Sequence, residues 1–271
     1  MARIALLQMT SGIDPYRNAD MIASAVATAA TGGAQMLFTP EMSGLLDQDR
    51  ERADQSIASQ QEDPVLRATR EAARSHGIWV ALGSLAVAVG EGRRANRAFV
   101  IDPEGEIVCT YDKMHMFDVT LGDGDDWRES AAYAPGDKIA KIETPVGLLG
   151  LSICYDIRFP ALYDALGRAG CETIAIPAAF TVPTGRAHWH VLQRARAIES
   201  SAFVISAAQV GEHEDGRRTY GHSLVIDPWG RVLLDMGGTE TGIGFAEIDL
   251  AIVEETRRKL PSLANRRDLA N

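Results

Sequence analysis

The chain has 271 residues, of which 46% are hydrophobic and 24% are charged, so it can bury a sizeable core and is not an intrinsically disordered protein. Lys and Arg total 27 against 37 Asp and Glu, and the formal net charge of −10 argues against binding to nucleic acid or to anionic membranes. Three cysteines without CxxC spacing predict free thiols in a reducing compartment. Because no signal peptide or membrane-spanning segment is recognisable, we expect a soluble, cytoplasmic protein.

Apolar runs and turn residues predict alternating strands and helices in the first half of the chain. The predicted elements are strand Ile4–Met9, helix Asp14–Ala30, strand Met36–Thr39, helix Asp63–His76, and strands Ile78–Leu82, Arg97–Ile101 and Glu106–Tyr111. The last two strands are joined by a turn sequence, DPEG, at 102–105.

The second half predicts the same order of elements. They are strand Leu148–Tyr155, helix Pro160–Ala169, strand Thr173–Ala178, helix His188–Ser200, and strands Phe203–Ala207, His222–Ile226 and Arg231–Leu234. A matching turn sequence, DPWG, joins the last two strands at 227–230. Each half therefore has the order β-α-β-α-β-β-β.

Two such halves predict one α/β domain over residues 1–271 with a pseudo-twofold internal repeat. We expect a four-layer α-β-β-α sandwich, in which two mixed sheets pack face to face and two helices cover each sheet outside. Strand Thr173–Ala178 lacks polar alternation, as expected for a sheet buried on both faces. The alternative is one doubly wound sheet, but the successive strands that end each half do not fit a simple Rossmann order.

Cys154 lies at the end of an apolar strand, in the bend before the helix that Pro160 begins. The partial positive charge of a helix N-terminus, together with a nearby Arg or Lys, would stabilise a thiolate there. The N–H of Tyr155 could then face a developing oxyanion. The alternative is a buried structural cysteine, which is the interpretation we prefer for Cys109 and Cys171.

Glu41 and Lys113 also follow predicted strands. Glu41 comes directly after Pro40 at a strand end, where ligands gather in α/β sheets, and burial would raise its pKa and suit a general base. Lys113 lies among apolar and aromatic residues and could stabilise negative charge on a reacting oxygen. The alternatives are a surface turn for Glu41 and, for Lys113, a surface ion pair with Asp112 or Asp118.

The histidine pattern does not predict a metal site. His188 and His190 are two residues apart, so on a helix they point to different faces, and no third ligand type lies beside them. The acidic run at 123–126 lacks the spacing of a calcium-binding loop, and we interpret it as the tip of an acidic loop.

Three short motifs, in their order along the chain, resemble the catalytic signatures of the nitrilase superfamily of carbon–nitrogen hydrolases. They are Pro40–Glu41 after a strand, YDKMHMFD at 111–118 and CYDIRFP at 154–160. The resemblance continues through Glu129–Ser130, PAAFT at 177–181, AHW at 187–189, RARAIE at 194–199 and GHSLVIDPWG at 221–230. It spans essentially the whole chain, and it implies the α-β-β-α sandwich, commonly assembled as a homodimer.

The resemblance implies that Glu41, Lys113 and Cys154 are the catalytic base, the oxyanion-stabilising cation and the nucleophile. Glu129 matches the second glutamate of the superfamily, which helps to position the substrate and Lys113. No cofactor or metal is implied. The residues expected to bind the substrate are Tyr155, Arg158, Phe117 and Phe180.

Within the superfamily, the motifs most resemble the Nit branch, which includes deaminated-glutathione amidase and ω-amidase. This implies hydrolysis of an amide in a small acid, and Arg158 is our candidate for binding the substrate carboxylate, unless it pairs with Asp156 or Glu41. Ala161 and His190 depart from residues common in the branch. The alternatives are a hydrolase of N-carbamoyl amino acids or aliphatic amides, or a non-catalytic, partner-binding protein on this fold.

Overall fold

The computed structural model describes residues 1–90, 92–120 and 126–267, so residues 123–125 of the acidic run lie outside it. The helices are α1 (Pro15–Thr31), α2 (Arg50–Asp54), α3 (Pro64–His76), α4 (Pro160–Arg168), α5 (Val182–Ser200) and α6 (Ala251–Lys259). Strands of the first half are β1 (Ala2–Gln8), β2 (Met36–Phe38), β3 (Trp79–Gly90), β4 (Arg93–Ile101), β5 (Ile107–Asp112), β6 (Asp118–Thr120) and β7 (Asp126–Arg128). Strands of the second half are β8 (Lys141–Thr144), β9 (Gly147–Leu151), β10 (Thr173–Ala175), β11 (Phe203–Ser206), β12 (Val210–Glu212), β13 (Arg218–Tyr220), β14 (Leu224–Ile226), β15 (Val232–Asp235) and β16 (Gly242–Ile248).

Two six-stranded mixed sheets share one topology. The first has the order β16-β1-β2-β3-β4-β5 and the second has the order β8-β9-β10-β11-β14-β15. In each sheet three parallel strands lie in the middle, one antiparallel strand lies on one side, and two antiparallel strands lie on the other. The two mixed sheets and the repeat of element order predicted from the sequence are confirmed.

The first sheet is buried on both faces, as strand β1 illustrates. Ile4 and Leu6 belong to a hydrophobic cluster that also contains residues of the second sheet and of α4 and α5. Ala5 and Leu7, which point the other way, belong to a second cluster with residues of α1 and α3. The layers are therefore helices, sheet, sheet and helices. Among the described residues, no helix is long and apolar enough to cross a membrane.

The packing of the two sheets brings three strand ends to one place. Strands β2, β5 and β9 end shortly before Glu41, Lys113 and Cys154. The backbone beside Glu41 is tightly packed, because a Cβ atom at Gly83 would lie 2.1 Å from the carbonyl oxygen of Thr39. A glycine is therefore needed at position 83 for the strand that leads to Glu41 to approach β3 this closely.

Several element boundaries differ from those predicted. The strand predicted at Leu148–Tyr155 ends at Leu151, because the chain then turns into a 3₁₀ helix, Cys154–Arg158. Helix α5 begins at Val182 rather than His188. The edge strands β8 and β16 were missed because they are mostly half-exposed and so carry a weak apolar signal.

Candidate active site

Glu41 is a buried carboxylate at the contact between the two sheets. Its residue is 4% exposed, and Oε2 accepts a hydrogen bond of 2.9 Å from the backbone N–H of Ala179 in the second half. The side-chain amide of Gln209, also from the second half, donates to the Glu41 carbonyl oxygen at 3.0 Å. These contacts hold the carboxylate in a fixed orientation toward the interior of the site.

Lys113 lies between two carboxylates. Its Nζ donates to Oε1 of Glu41 at 2.9 Å and to Oε2 and Oε1 of Glu129 at 2.9 and 3.1 Å. The lysine is 2% exposed, so these ion pairs are largely shielded from water. Lys113 does not form its ion pairs with Asp112 or Asp118. Asp112 is paired with Arg97 at 2.6 Å, and Asp118 accepts hydrogen bonds from Ser130.

Asn96 is fully buried and joins the two glutamates. Its Nδ2 donates to Oε1 of Glu41 at 3.0 Å and to Oε1 of Glu129 at 3.1 Å. Glu129 also accepts a hydrogen bond of 2.6 Å from the backbone N–H of Phe117. Asn96 therefore fixes the spacing between the carboxylates that Lys113 bridges.

Cys154 begins its 3₁₀ helix in a conformation that is unusual for a residue with a side chain. Its φ is +46°, which L-residues rarely adopt and which is held here by a hydrogen bond of 2.9 Å from its N–H to the carbonyl of Pro177. Tyr155 lies in the first turn of this helix, where backbone N–H groups have no intrahelical acceptor. Cys154 and Tyr155 both line one pocket.

Asp156 stabilises the turn at Cys154 by hydrogen bonds. It is fully buried, and its Oδ2 accepts hydrogen bonds from the Ile153 N–H at 2.9 Å and from the Tyr111 hydroxyl at 2.7 Å. The backbone N–H of His115 donates to the same carboxylate at 3.1 Å. Through Asp156, the Cys154 turn of the second half is tied to the segment that carries Lys113.

The ionisation of the three central groups is coupled. Burial opposes the charge of Glu41, but Lys113 and the hydrogen bonds from Cys154, Lys113 and Ala179 outweigh it and lower its pKa. Burial also opposes the charge of Lys113, yet the charges of Glu129 and Glu41 hold its pKa well above the ordinary value. For Cys154, burial and then the Glu41 charge raise the pKa well above that of a free thiol, despite the opposing charge of Lys113.

Two electrostatic expectations from the sequence are therefore wrong. The pKa of Glu41 is lowered rather than raised, because Lys113 contacts it directly. The thiol of Cys154 is not held as a thiolate, because the neighbouring Glu41 charge and burial favour the protonated form. The arrangement is therefore a protonated thiol beside an ionised carboxylate.

A pocket of about 350 Å³ opens onto this group. Tyr155, Phe117 and Phe180 line it together with Glu41, Lys113, Glu129 and Cys154. Arg158 does not, because its guanidinium faces His188 Nδ1 at 3.3 Å and lies over the Phe180 ring. The structure thus places Arg158 behind the pocket wall rather than in the pocket, and its side chain bonds to neither Asp156 nor Glu41.

Sequence reasoning missed three functional candidates. Asn96 is a fully buried polar residue of β4, but this strand also carries three arginines, so its local sequence does not distinguish Asn96. Asp156 was recognisable only as part of the CYD motif. Arg217 lines the pocket from the loop before β13, and nothing in its local sequence indicates that this loop reaches the site.

The family model described as Carbon-nitrogen hydrolase matches residues 3–258. A deaminated glutathione amidase of Yersinia enterocolitica is 40% identical over 235 residues, which cover 86% of this chain and 82% of that protein.

The chain is also similar to solved structures over nearly its whole length. The Caenorhabditis elegans NitFhit protein superposes with a TM-score of 0.91 at 35% identity, over 98% of this chain and 65% of that one. A glutamate-to-glutamine mutant of the amidase from Nesterenkonia sp. AN1 superposes with a TM-score of 0.80 at 28% identity, over 96% of this chain and 98% of that one. In that structure acrylamide has added to the active-site cysteine.

The raised pKa of Cys154 predicts that its thiol stays protonated at neutral pH. The ionisation of Cys154 can be measured as the difference in ultraviolet thiolate absorbance between the unmodified protein and Cys154→Ala. We expect this difference to show no ionisation step below pH 9.0, the ordinary pKa of a thiol. The unfolded proteins provide the control, since their thiols should ionise near that value. A step between about pH 5 and 7.5, the range of activated thiolates, would contradict the assignment.

Proposed function

The chain belongs to the carbon–nitrogen hydrolase family, and we propose that it is a cysteine-dependent amidase that hydrolyses the amide of a small, carboxylate-bearing substrate. The observation that carries this proposal is the thiol of Cys154 beside the ionised Glu41–Lys113–Glu129 group at the base of one pocket. Its substrates would be of the deaminated-glutathione type, as the name of the Yersinia relative indicates, or of the ω-amide type.

Acylation begins with proton transfer from the thiol to Glu41. As the sulfur of Cys154 forms a bond to the amide carbon, the carbonyl oxygen gains negative charge, and Lys113 and the Tyr155 N–H stabilise it. When the tetrahedral intermediate collapses, the C–N bond breaks and the nitrogen receives the proton from Glu41. Ammonia or an amine leaves, and a thioester remains on Cys154.

In deacylation, Glu41 again acts as the base, and it now activates a water molecule. Glu41 accepts a proton from a water molecule as its oxygen attacks the thioester carbon, and the same donors stabilise the oxyanion. The C–S bond then breaks, the carboxylic acid product forms, and the proton returns from Glu41 to the sulfur. Glu129 holds Lys113 in place and Asn96 holds Glu41 in place by hydrogen bonds during both steps.

The charge of the pocket supports an anionic substrate. Its lining residues include six cations and three carboxylates, although the chain as a whole has a net charge of −10. Among the cations, Arg217 has a buried Nε without a hydrogen-bond partner among the described residues. Its other end is held by Asp215 at 3.0 Å, and Trp127 lies 5.0 Å from its guanidinium.

We therefore assign the substrate carboxylate to Arg217 rather than to Arg158. A buried donor without an acceptor is costly, and a carboxylate in the pocket would satisfy Nε through a charge-assisted hydrogen bond. Asp215 and Trp127 orient the guanidinium but leave this nitrogen available.

We also propose that the protein forms homodimers. On α5, Val191 is 69% exposed and Ile198 is 42% exposed, and near them the turn and strand at 229–233 expose Trp229 and Leu233 by 50% and 46%. Gly230 lies against Ile198, so the turn that carries Trp229 is next to α5. Exposed apolar side chains of this kind are suited to contact with a second copy of the chain.

We propose that the protein acts in a reducing compartment such as the cytoplasm, because of the state of its cysteines. Cys109, Cys154 and Cys171 are all unpaired, and a nucleophilic thiol must stay reduced to act. The protein is therefore suited to a compartment in which thiols are kept reduced.

The amidase proposal predicts amide hydrolysis that depends on Cys154, measured as ammonia released from primary amides and N-carbamoyl compounds and as the dipeptide amine released from deaminated glutathione. Across a panel of deaminated glutathione, ω-amides of small keto acids, N-carbamoyl amino acids and neutral aliphatic amides, the acidic amides should give the highest kcat/KM. Cys154→Ala should fold and lose the activity, whereas the matched variant Cys171→Ala should retain it. Activity near the unmodified level in Cys154→Ala, or a preference for neutral or carbamoyl substrates, would contradict the proposal.

The role of Arg217 predicts a substrate-dependent loss. Arg217→Gln should raise KM for acidic amides by about tenfold or more, since a charge-assisted hydrogen bond contributes about 1.5–3 kcal/mol. Neutral amides should be hydrolysed nearly as before. The matched control Arg158→Gln, which changes an arginine outside the pocket, should not discriminate in this way. Equal losses for both substrate classes in Arg217→Gln would show that Arg217 only shapes the pocket.

The dimer proposal predicts a molar mass of about twice 29.3 kDa by light scattering at micromolar concentration, where a specific dimer should persist. Val191→Glu should shift the mass toward that of the monomer, because it places a charge in an apolar contact. Glu212→Lys, an exposed change on β12, serves as the control. A monomer in the unmodified protein would contradict the proposal.

A further inference from the structure

A second group of ligand-type side chains lies outside the pocket. It consists of His190 on α5, His222 in the turn after β13, and Asp235 at the end of β15. None of the three lines the active-site pocket. We propose that they form a binding site for a divalent transition-metal ion, with Zn²⁺ as the best fit.

The three side chains already converge on one point. His190 Nε2 lies 3.0 Å from Oδ2 of Asp235, and His222 Nδ1 lies 2.9 Å from Oδ1 of the same carboxylate. One ligand atom from each residue lies within 4.8 Å of the others. In a tetrahedral zinc site with bonds of about 2.0–2.1 Å, neighbouring ligand atoms are about 3.3 Å apart. An ion could therefore enter if these ligand atoms move relative to one another by at most about 1.5 Å.

The position of His222 is fixed by its backbone. Its φ is +56°, a conformation that few residues with side chains adopt. Its carbonyl accepts a hydrogen bond of 2.8 Å from the indole N–H of Trp189, and its N–H donates to the Gly237 carbonyl at 2.7 Å. Backbone conformations of this kind persist only where the surroundings impose them, and they concentrate at functional sites.

The surroundings supply the outer contacts that metal ligands require. The Gly237 N–H donates to Oδ1 of Asp235 at 2.9 Å, and the Tyr220 ring stacks on His222 with centroids 4.5 Å apart. Gly238 lies directly against the imidazole, because a Cβ there would be 2.9 Å from His222 Nε2. Such contacts orient ligands before the ion binds.

The donor set selects the class of ion. Two imidazoles and one carboxylate suit zinc and its neighbours in the first transition row better than calcium or magnesium, which prefer oxygen. The three side chains are about one-quarter to one-third exposed, at 35%, 24% and 33%, so an ion can reach them from solution. Three protein ligands leave a fourth position for water.

Sequence spacing could not reveal this site. His190 was paired in the sequence with His188, which points to another helix face and contacts Arg158 instead. The ligands that meet His190 come from positions 32 and 45 residues further along the chain. Only the packing of α5 against the strands of the second half brings them together.

Calorimetric titration of the untagged protein with Zn²⁺, in a buffer that does not bind metal, tests the proposal. We expect about one ion per chain, and a melting temperature that rises with Zn²⁺ concentration because binding favours the folded state. His190→Gln, on a partly exposed helix face, should fold and weaken binding by about tenfold or more, since a direct ligand is at least as important as its outer contacts. His222→Asn, which keeps a residue tolerant of positive φ, should do the same.

Two matched variants separate this site from other zinc ligands. His188→Gln removes a histidine of the same helix, and Cys154→Ser removes the active-site thiol; both should bind Zn²⁺ as the unmodified protein does. Absence of binding in the unmodified protein would overturn the proposal. So would unchanged binding in His190→Gln, or loss of binding in Cys154→Ser.

Discussion

The active site depends on a lysine ammonium buried between two carboxylates. Lys113 is 2% exposed and Glu41 is 4% exposed, so each charge would be strongly unfavourable without the other. Because two carboxylates face one cation and Asn96 bonds to both of them, the group retains a negative charge beside Cys154. Burial and then that charge raise the pKa of the Cys154 thiol, and in the proposed reaction Glu41 is the base that removes the proton of the thiol.

The complete active site, with its charged residues and its thiol, requires both halves of the fold. Glu41, Asn96, Lys113 and Glu129 belong to the first half, whereas Cys154 and the Ala179 N–H belong to the second. Asp156 ties the two together through Tyr111 and His115. The site is therefore assembled only when the sheets pack face to face, and a change that shifts one sheet against the other should disturb the contact between Cys154 and Glu41, while the ion pairs, which lie within the first half, persist.

The sequence predicted the parts of the site that are local. Glu41, Lys113 and Cys154 each follow a strand within a short motif, and the order of elements predicted the paired sheets. It could not predict contacts that depend on packing between distant segments, which is why Asn96 and Arg217 were missed and Arg158 was preferred as the carboxylate ligand. The pKa of Glu41 was predicted in the wrong direction for the same reason, since burial was considered without the lysine that accompanies it.

The central claim is that Cys154 forms a covalent acyl intermediate with Glu41 as the base. Mass spectrometry of the unmodified protein and of Glu41→Gln, each mixed with an acidic amide substrate, tests this most directly, because the thioester should be present in the unmodified protein during turnover and should form far more slowly once the base is lost. Rapid acid quenching should reveal a peptide containing Cys154 that carries the substrate mass less ammonia. Product formation without any adduct in the unmodified protein, or an adduct on Cys109 or Cys171 instead, would contradict the account.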